Sequence, residues 1–442
     1  MAAPPESSPD RHALLIYGGW AAAAIAVVLA IIILFWPVAD AMASHDVHAV
    51  RASARGVQLR VALDAARGRL VQICGGVLAL GAFFYTARNY RVAQQQSELN
   101  RRTLQLSVQG QMTDRYSKAI EQIGAAEIEV RIGALHALEQ VARDAPGNYA
   151  AVVDVISAYV RHRTSETDVD LAGRPREDIS TAMTIISSLG TAATPAGIPR
   201  PVNLQGSRLT GYDLTGTHLR GANLSGADLS RAQLGGADLS GAVLVGAVLT
   251  ETEMANANLS GATLTRATMT GVRLEDARLD QATLCDAVLM TAHLTSARLT
   301  RADLSRARLH NARLDGADLT GALLGGADFA DAVMNQAVLE DATAPRANLS
   351  GAKLIEATLA GADLTGACLS RADLSRSNCT NCRLDEAEIY DAVFDGADMR
   401  GVHLRGLSRL GLRLDGAITD LGQQAPDGYL RDPATGRLIR SD

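Results

Sequence analysis

The hydrophobic and polar positions follow three different patterns along the 442-residue chain. Two long uncharged runs come first, at residues 13–36 and 70–87, and a helical spacing of apolar residues follows. From Val202 onward, an apolar residue returns at every fifth position. These patterns divide the chain into a membrane-spanning region, a helical region and a repetitive region.

The two uncharged runs predict a pair of transmembrane helices, at 13–36 and 70–87, because about 20 apolar residues cross the hydrocarbon layer of a membrane. A cleaved signal peptide is the alternative for the first run, since Ala41-Met42-Ala43 resembles a cleavage site. The N-terminal tail, residues 1–12, contains two acidic residues and one arginine, and the run is long, so a retained span is favoured. The arginines near the spans are balanced between the two sides, so charge leaves the orientation open.

Between the spans, residues 37–69 form a loop whose apolar residues recur at intervals of three and four. This spacing predicts an amphipathic helix lying on the membrane. Its apolar positions are Val47, Val50, Ala54, Val57 and Val61.

Residues 88–190 have the pattern of a helical segment. One stripe contains Ile128, Ile132, Leu135, Leu138 and Val141, and Pro146-Gly147 separates it from a second apolar helix that starts near Tyr149. The pair looks like one unit of an armadillo or HEAT repeat. Because such solenoids normally need several units, a helical adaptor between the membrane and the repeats is favoured. A linker rich in Pro, Gly and Ala follows at 191–201.

The repetitive region, 202–418, consists of five-residue units with an apolar residue at the centre. The centres run in register from Leu204 to Leu404, and Ala344 and Cys379 are the two that lack a large apolar side chain. Alanine occupies most positions two residues before a centre. Residues two apart in an extended segment point the same way, so the alanine and the centre face inward and the residue between them faces outward.

A chain that turns every five residues winds into a coil, and its charges indicate the length of one turn. At a spacing of 20 residues there are twelve oppositely charged pairs and two like-charged pairs, Arg278/Arg298 and Asp395/Asp415. At a spacing of 15 there are eleven opposite and six like pairs, and at a spacing of 25 there are six opposite and ten like pairs. Since opposite charges attract on neighbouring strands, four units per coil and about ten coils are predicted. Beyond Leu404 the register fails at Arg409, and 419–442 is expected to cap or fray from the last coil.

The units resemble the A[DN]L[ST]G consensus of the pentapeptide-repeat family, as in ANLSG (222–226), ADLSG (237–241) and ADLTG (317–321). That resemblance implies a right-handed, four-sided β-helix, so the fold expected is two transmembrane helices, a small all-α segment and an all-β solenoid.

The N-terminal half is similar to a group of membrane-anchored bacterial pentapeptide-repeat proteins. The similarity implies a multi-pass protein of the bacterial cell membrane whose helical segment and solenoid lie in the cytoplasm. It is carried by TARNYR (86–91), GQMTDRYSKAIEQIG (110–124), EVRIGALHALEQVARD (129–144) and EDISTAMTIISSLG (177–190).

Composition and motifs argue against catalysis. The formal net charge is −6, and five cysteines do not indicate a disulfide framework. The pair Cys379-x-x-Cys382 falls on inward positions, which favours core packing over a redox or metal site. His218, His293 and His403 fall in separate coils. We therefore expect a non-enzymatic protein without catalytic residues, cofactor or metal.

Two functions remain, a membrane-tethered scaffold for protein partners and a DNA mimic that inhibits a DNA topoisomerase, as some members of the family do. Mimicry requires a dominant acidic surface, whereas the window 202–418 holds 26 acidic and 20 basic residues. Scaffolding is favoured, and an accessory role in a membrane stress or transport system stays open. An unidentified protein partner and the membrane are expected, a second copy of the chain is a candidate, and nucleic acid is disfavoured.

The candidate interaction surface is a basic band followed by an acidic stretch. The basic band consists of Arg298, Arg301, Arg306, Arg308 and Arg313, and the acidic stretch includes Asp315, Asp331, Glu340 and Asp341.

The inward and outward register predicts opposite outcomes for neighbouring substitutions. Leu304→Asp places a charge inside the coil and should disrupt folding, whereas Asp303→Ala, at an outward position, should change stability by less than about 1 kcal/mol. Thermal melts of the two variants test the register, and equal shifts in the midpoint would contradict it.

Overall fold

The computed structural model divides the chain into two compact units, residues 1–109 and 110–442. The predicted tail 1–12, most of the predicted span 13–36 and nearly all of the linker 191–201 lie outside the described residues. The described residues are part of 26–41, then 55–166, 175–190, 201–402, 411–420, 425 and 428–441.

The first long element is a single helix, α1 (Arg55–Ile123), of 69 residues. It runs without interruption through part of the predicted loop, the predicted span 70–87 and the start of the helical segment, and its length is roughly 100 Å. Within the described residues it is the one helix long and apolar enough to cross a membrane. Its apolar side chains are exposed, for example Leu80 and Phe84. The ring of Trp36 lies 4.6 Å from the guanidinium carbon of Arg67.

Three shorter helices form a small bundle in the second unit. They are α2 (Ile128–Asp144), α3 (Tyr149–Glu166) and α4 (Glu177–Gly190), with a 3₁₀ turn at Pro146–Asn148. Each helix packs against the other two, because apolar residues at helical spacing give each one a buried face. The buried side chains include Leu135, Leu138, Val152, Ile156 and Ile186.

The bundle encloses a charged network. Asp178 at the start of α4 accepts hydrogen bonds from Arg131 (2.8 Å), Tyr159 (2.5 Å) and Arg176 (3.0 Å). Burial by itself would raise the pKa of Asp178, but these three donors outweigh it and hold that pKa below its ordinary value. Burial and the neighbouring carboxylate raise the pKa of Tyr159 to about 12. Arg131 also donates to the carbonyl of Ala126, so one side chain links the turn after α1 to α3 and α4.

Residues 203–402 and 411–418 form a β-helix. Every parallel bridge between its coils joins residues twenty apart, from Asn203↔Asn223 to Asp398↔Ile418, which confirms four units per turn. A representative centre, Leu304, donates its N–H to the carbonyl of Leu323 at 2.8 Å on the next coil. Each unit contributes one bridged residue between two turns, and this explains why the coils count as isolated bridges rather than long strands.

The coil interior is filled as the period predicts. The inward alanine and leucine side chains are buried, and three larger rings, Tyr212, Phe329 and Phe394, are also fully enclosed. At the small centre Ala344 the ladder continues unbroken, because Thr343 bridges both Leu323 and Asp363.

Two features of the consensus have a structural cause that the period alone does not reveal. Where Asp or Asn precedes a centre, its side chain can close a turn: Asp318 Oδ1 accepts from the Thr320 N–H at 3.0 Å and from its hydroxyl at 2.6 Å. The last residue of each unit adopts a positive φ, which suits glycine. Non-glycine residues also occupy this corner, for example Arg306 at φ 58° and Asp331 at φ 55°.

The helical bundle covers the first coil. In later coils the N–H groups of the bridged residues donate to backbone carbonyls of the preceding coil. The first coil has no preceding coil, so its N–H groups need other acceptors. Side-chain hydroxyls of the bundle replace these acceptors: the Arg208 N–H donates to Thr164 Oγ1 at 3.1 Å, and the His218 N–H donates to Ser187 Oγ at 3.0 Å. The bundle therefore caps the N-terminal end of the β-helix.

A small antiparallel hairpin of β1 (Tyr429–Arg431) and β2 (Leu438–Arg440) covers the last described coil. The carbonyl of Leu438 accepts from the Gly416 N–H, and its own N–H donates to Ala417, both at 2.8 Å. The buried Leu438 side chain closes the interior. Both ends of the β-helix thus have hydrogen-bonding partners.

Removing the carboxylate from the buried network should destabilise the bundle. Asp178→Asn leaves Arg131 and Arg176 without their shared anion and should cost about 3–5 kcal/mol. The measurement is native-state hydrogen exchange of α4 in the full-length protein, with the exposed Glu177→Gln as control.

The pH dependence of α4 protection provides a second test with the same variants. Because the folded pKa of Asp178 is lowered, its contribution is complete above the unfolded value of about 3.9 and is lost as the pH falls below it. The wild type and Glu177→Gln should both lose α4 protection below about pH 4, whereas Asp178→Asn should lack that component. Equal acid sensitivity in all three proteins would contradict this role.

Candidate functional site

The β-helix presents four flat faces, each repeated every twenty residues. We name them from the first coil: the first face starts at 202–206, the second at 207–211, the third at 212–216 and the fourth at 217–221. Outward residues on one face of successive coils are neighbours, about 4.8 Å apart.

The predicted interaction surface does not lie on one face. Its basic residues encircle the β-helix, and its acidic residues lie on three of the four faces, about one coil further on. The first face has Arg306 at its corner, and the second face has Arg308, with Asp331 at its corner. Arg313 and Asp315 lie on the third face. The fourth face has Arg298 and Glu340, with Arg301 and Asp341 at its corner.

Many of these charges are already paired within the β-helix. Arg306 donates to both oxygens of Asp286 on the preceding coil, at 2.8 and 2.9 Å, and this contact lowers the pKa of Asp286. Five of the predicted pairs at spacing 20 form ion pairs: Arg231–Glu251, Arg273–Glu253, Arg306–Asp286, Arg376–Glu356 and Arg383–Asp363. The result is a surface with alternating charge.

Ion pairs at two other spacings escaped the sequence prediction. Some join residues two apart on the same face, as in Arg400–Asp398 at 2.5 Å, and others join residues eighteen apart, diagonally across coils, as in Arg298–Asp280 at 3.3 Å. Long arginine side chains reach either neighbour of a bridged residue, so counting pairs at one spacing finds part of the network.

A surface groove of about 590 Å³ lies on the fourth face and contains the one like-charged basic pair found in the sequence. Arg278 and Arg298 are bridged neighbours on successive coils. Asp280 lies between them, 3.7 Å from Arg278 Nε and 3.3 Å from Arg298 Nη2. The other lining residues are Ser260, Gly261, Gln281, Thr300, Arg301 and Thr320.

The cysteines differ in their surroundings. Cys379 and Cys382 are buried, as predicted, and the Cys382 thiol donates to the carbonyl of Leu359 at 2.7 Å. Contact with Cys379 and burial raise the pKa of Cys382. Cys285 and Cys368 are partly exposed on the first and second faces. Burial and the adjacent carboxylate of Asp303 raise the pKa of Cys285 to about 11.

Among the described residues, no group of three or more His, Cys, Asp or Glu side chains is arranged to hold a metal ion. The histidine nearest to a carboxylate of another coil is His293, whose Nδ1 lies 3.5 Å from Glu275 Oε1.

Comparison with known proteins identifies the repeats. The family model described as pentapeptide repeats matches in eight copies, and no curated protein matches the chain. The matched residues are 202–236, 232–271, 273–311, 312–343, 332–371 and 367–406.

Solved structures of similar proteins cover the same part of the chain. HetL from the cyanobacterium Nostoc, involved in heterocyst differentiation regulation, is 30% identical over 51% of this chain and 94% of its own, with a TM-score of 0.26. QnrB1, a plasmid-mediated fluoroquinolone resistance protein, is 19% identical over 48% and 91%, with a TM-score of 0.25. A pentapeptide-repeat protein of the Arabidopsis thaliana thylakoid lumen is 31% identical over 24% and 62%, with a TM-score of 0.12.

The raised pKa of Cys285 predicts slow alkylation of that thiol. At pH 7.5, on the order of one molecule in several thousand carries the thiolate that reacts. In the full-length protein, Asp303→Asn should therefore speed maleimide labelling of Cys285, measured by mass spectrometry, while labelling of Cys368 in the same sample serves as the internal control. An unchanged rate at Cys285 would contradict the proposed influence of Asp303.

Proposed function

Because this chain is a pentapeptide-repeat protein, we propose that it is a non-enzymatic, membrane-tethered scaffold whose β-helix binds protein partners. The family consists of generally non-enzymatic structural or interaction proteins, and the matches indicate no enzyme family. The proposal adds the tether, the location and the kind of partner.

The observation that carries the proposal is the alternation of charge on all four faces. Ion pairs within a face and between coils leave basic and acidic side chains next to each other, as at Arg273, which lies 3.4 Å from Glu253 and 3.2 Å from Glu275. Alternating, half-exposed charges suit specific contacts with a complementary protein surface. They support recognition of a partner more than attraction to any polyanion or polycation.

The tether is supported by α1. Its apolar stretch has side chains exposed to more than half of their full extent, among them Ile73, Leu80 and Phe84, which is costly in water and favourable in lipid. Arginines flank that stretch at Arg69 and Arg88. With the first predicted span, 13–36, the chain crosses a bacterial cell membrane twice and holds the β-helix in the cytoplasm.

Inhibition of a DNA topoisomerase by DNA mimicry is the second candidate. It requires an acidic surface that copies the regular phosphate charge of a duplex. Arginines such as Arg306 and Arg383 occupy the same columns as the carboxylates they neutralise, which disfavours such a copy. An accessory role in a membrane stress or transport system is compatible with the scaffold and differs in the partner.

The test is recovery of a partner from native membranes. The full-length protein is crosslinked in cells, purified in detergent and compared with Arg306→Glu/Arg383→Glu, in which two coil-to-coil ion pairs become repulsive at the surface. A scaffold should retain a defined protein in the wild type and lose most of it in the variant.

Supercoiling by purified gyrase, with and without the full-length protein, is the opposing measurement. Stoichiometric inhibition would overturn the scaffold in favour of mimicry. Labelling of Cys368 with a membrane-impermeant thiol reagent should succeed in inverted vesicles, and labelling in intact cells instead would contradict a cytoplasmic β-helix.

A further inference from the structure

The structure points to a binding site for an acidic peptide in the groove on the fourth face, and we propose that a carboxylate-rich segment of the protein partner lies along it. This inference rests on the proposed scaffold function. It names the part of the β-helix that makes contact and the chemistry of the segment that is bound.

The pair Arg278 and Arg298 is an exception to the alternation of charge. Throughout the repeat region, charges twenty apart are mostly opposite, yet Arg278 and Arg298 are adjacent on successive coils and about 4.8 Å apart along the ladder. Like charges facing each other on neighbouring strands are destabilising. Local conflicts of this kind concentrate at functional sites, and an anion placed between the two guanidinium groups would relieve this one.

Asp280 lies within ion-pair distance of both arginines without neutralising the groove. Its two oxygens face Arg298 Nη2 at 3.3 Å and Arg278 Nε at 3.7 Å, while 57% and 58% of these arginine side chains remain exposed. Asp280 is itself only 18% exposed, and its Oδ2 is buried without a hydrogen-bond partner. Asp280 thus accepts one hydrogen bond from Arg298 and lies within ion-pair distance of Arg278, and each exposed arginine keeps N–H donors for an incoming carboxylate.

The corner residues at these two coils enlarge the basic surface. Glycine occupies this corner in the coil before and the coil after, at Gly261 and Gly321, whereas Gln281 and Arg301 stand between them. Both adopt the left-handed conformation, at φ 59° and 56°, which costs a non-glycine residue energy. Their long polar side chains line the same groove, so the strained positions add one cation and one amide to it.

The surroundings favour a short acidic peptide over nucleic acid. The groove contains three arginines and Asp280, but the next coil places Asp318 beside it, and Thr300 Oγ1 donates to Asp318 Oδ2 at 3.3 Å. Glu340 and Asp341 follow on the same face. A continuous phosphate backbone running along this face would meet these carboxylates, whereas a peptide with two or three carboxylates ends before them.

The hydroxyl groups of Ser260, Thr300 and Thr320 complete the lining. Their protons are already donated to Asn258 and Asp318, so their oxygens can accept hydrogen bonds from the backbone N–H groups of an extended peptide, whose side chains alternate in direction. Carboxylates two residues apart in the peptide point to the same side, so they would reach Arg278 and Arg298 together.

The test uses the full-length protein in detergent micelles and a fluorescein-labelled peptide with four glutamates flanked by Gly-Ser, followed by fluorescence anisotropy. Arg278→Gln/Arg298→Gln should weaken binding by about tenfold or more, since each change removes charge-assisted hydrogen bonds. The control Arg308→Gln/Arg346→Gln removes the same net charge elsewhere on the β-helix and should change affinity by less than about threefold.

Three outcomes would overturn the proposal. They are equal weakening by both double variants, equal binding of the matching peptide with glutamine in place of glutamate, and no saturable binding up to about 1 mM peptide. Tighter binding of a single-stranded oligonucleotide, or of phosphatidylglycerol vesicles, with the same dependence on the two arginines would reassign the groove to that ligand.

Partner recovery separates this inference from the scaffold itself. A crosslinked partner that is retained in Arg278→Gln/Arg298→Gln would leave the scaffold intact and refute the groove as its contact. If no partner is recovered from wild-type cells while the peptide still binds through the two arginines, the groove stands and the scaffold function fails.

Discussion

Every feature of the repeat region depends on the backbone hydrogen bond between residues on successive coils. A donor such as the Leu304 N–H finds its acceptor on the next coil at 2.8 Å, and the same bond recurs along the described ladder. It fixes the spacing between coils, stacks outward side chains into columns and keeps alanine and leucine inside. The constraint also creates a problem at each end, where a coil has no neighbour. The helical bundle and the C-terminal hairpin solve it with hydroxyl groups and a short strand.

The same constraint explains how the surface acquires its charge pattern. Since outward residues stack in columns, a substitution on one coil changes the environment of the coils above and below it. Pairs such as Arg231–Glu251 are exposed, so each contributes little to stability. Their collective effect is to leave a nearly balanced surface, and against that background the unbalanced groove at Arg278 and Arg298 stands out as a site for a ligand.

How much of this could be predicted from the sequence follows from the range of the interactions. The period, the inward register of Leu304 and the burial of Cys379 follow from residues a few positions apart, and the coil length follows from charges twenty apart. The capping role of the bundle depends on contacts such as that between Thr164 and Arg208. These residues belong to segments whose sequence patterns are unrelated, so the sequence does not pair them. The candidate surface is a continuous stretch of sequence, and the coil distributes such a stretch as a band over its faces. The groove appeared in the sequence as an exception to pairing, and its lining required the geometry of neighbouring coils.

The four-unit coil also limits how a protein of this kind can change in length. Inserting twenty residues adds one complete turn and leaves every column in line. Inserting five preserves each unit and its buried side chains, yet it rotates all later residues onto the next face and separates charges that had been stacked, such as those of Arg306 and Asp286. Stability would tolerate the five-residue insertion far better than recognition would. The surface therefore evolves in whole turns, even though the sequence repeats in fives.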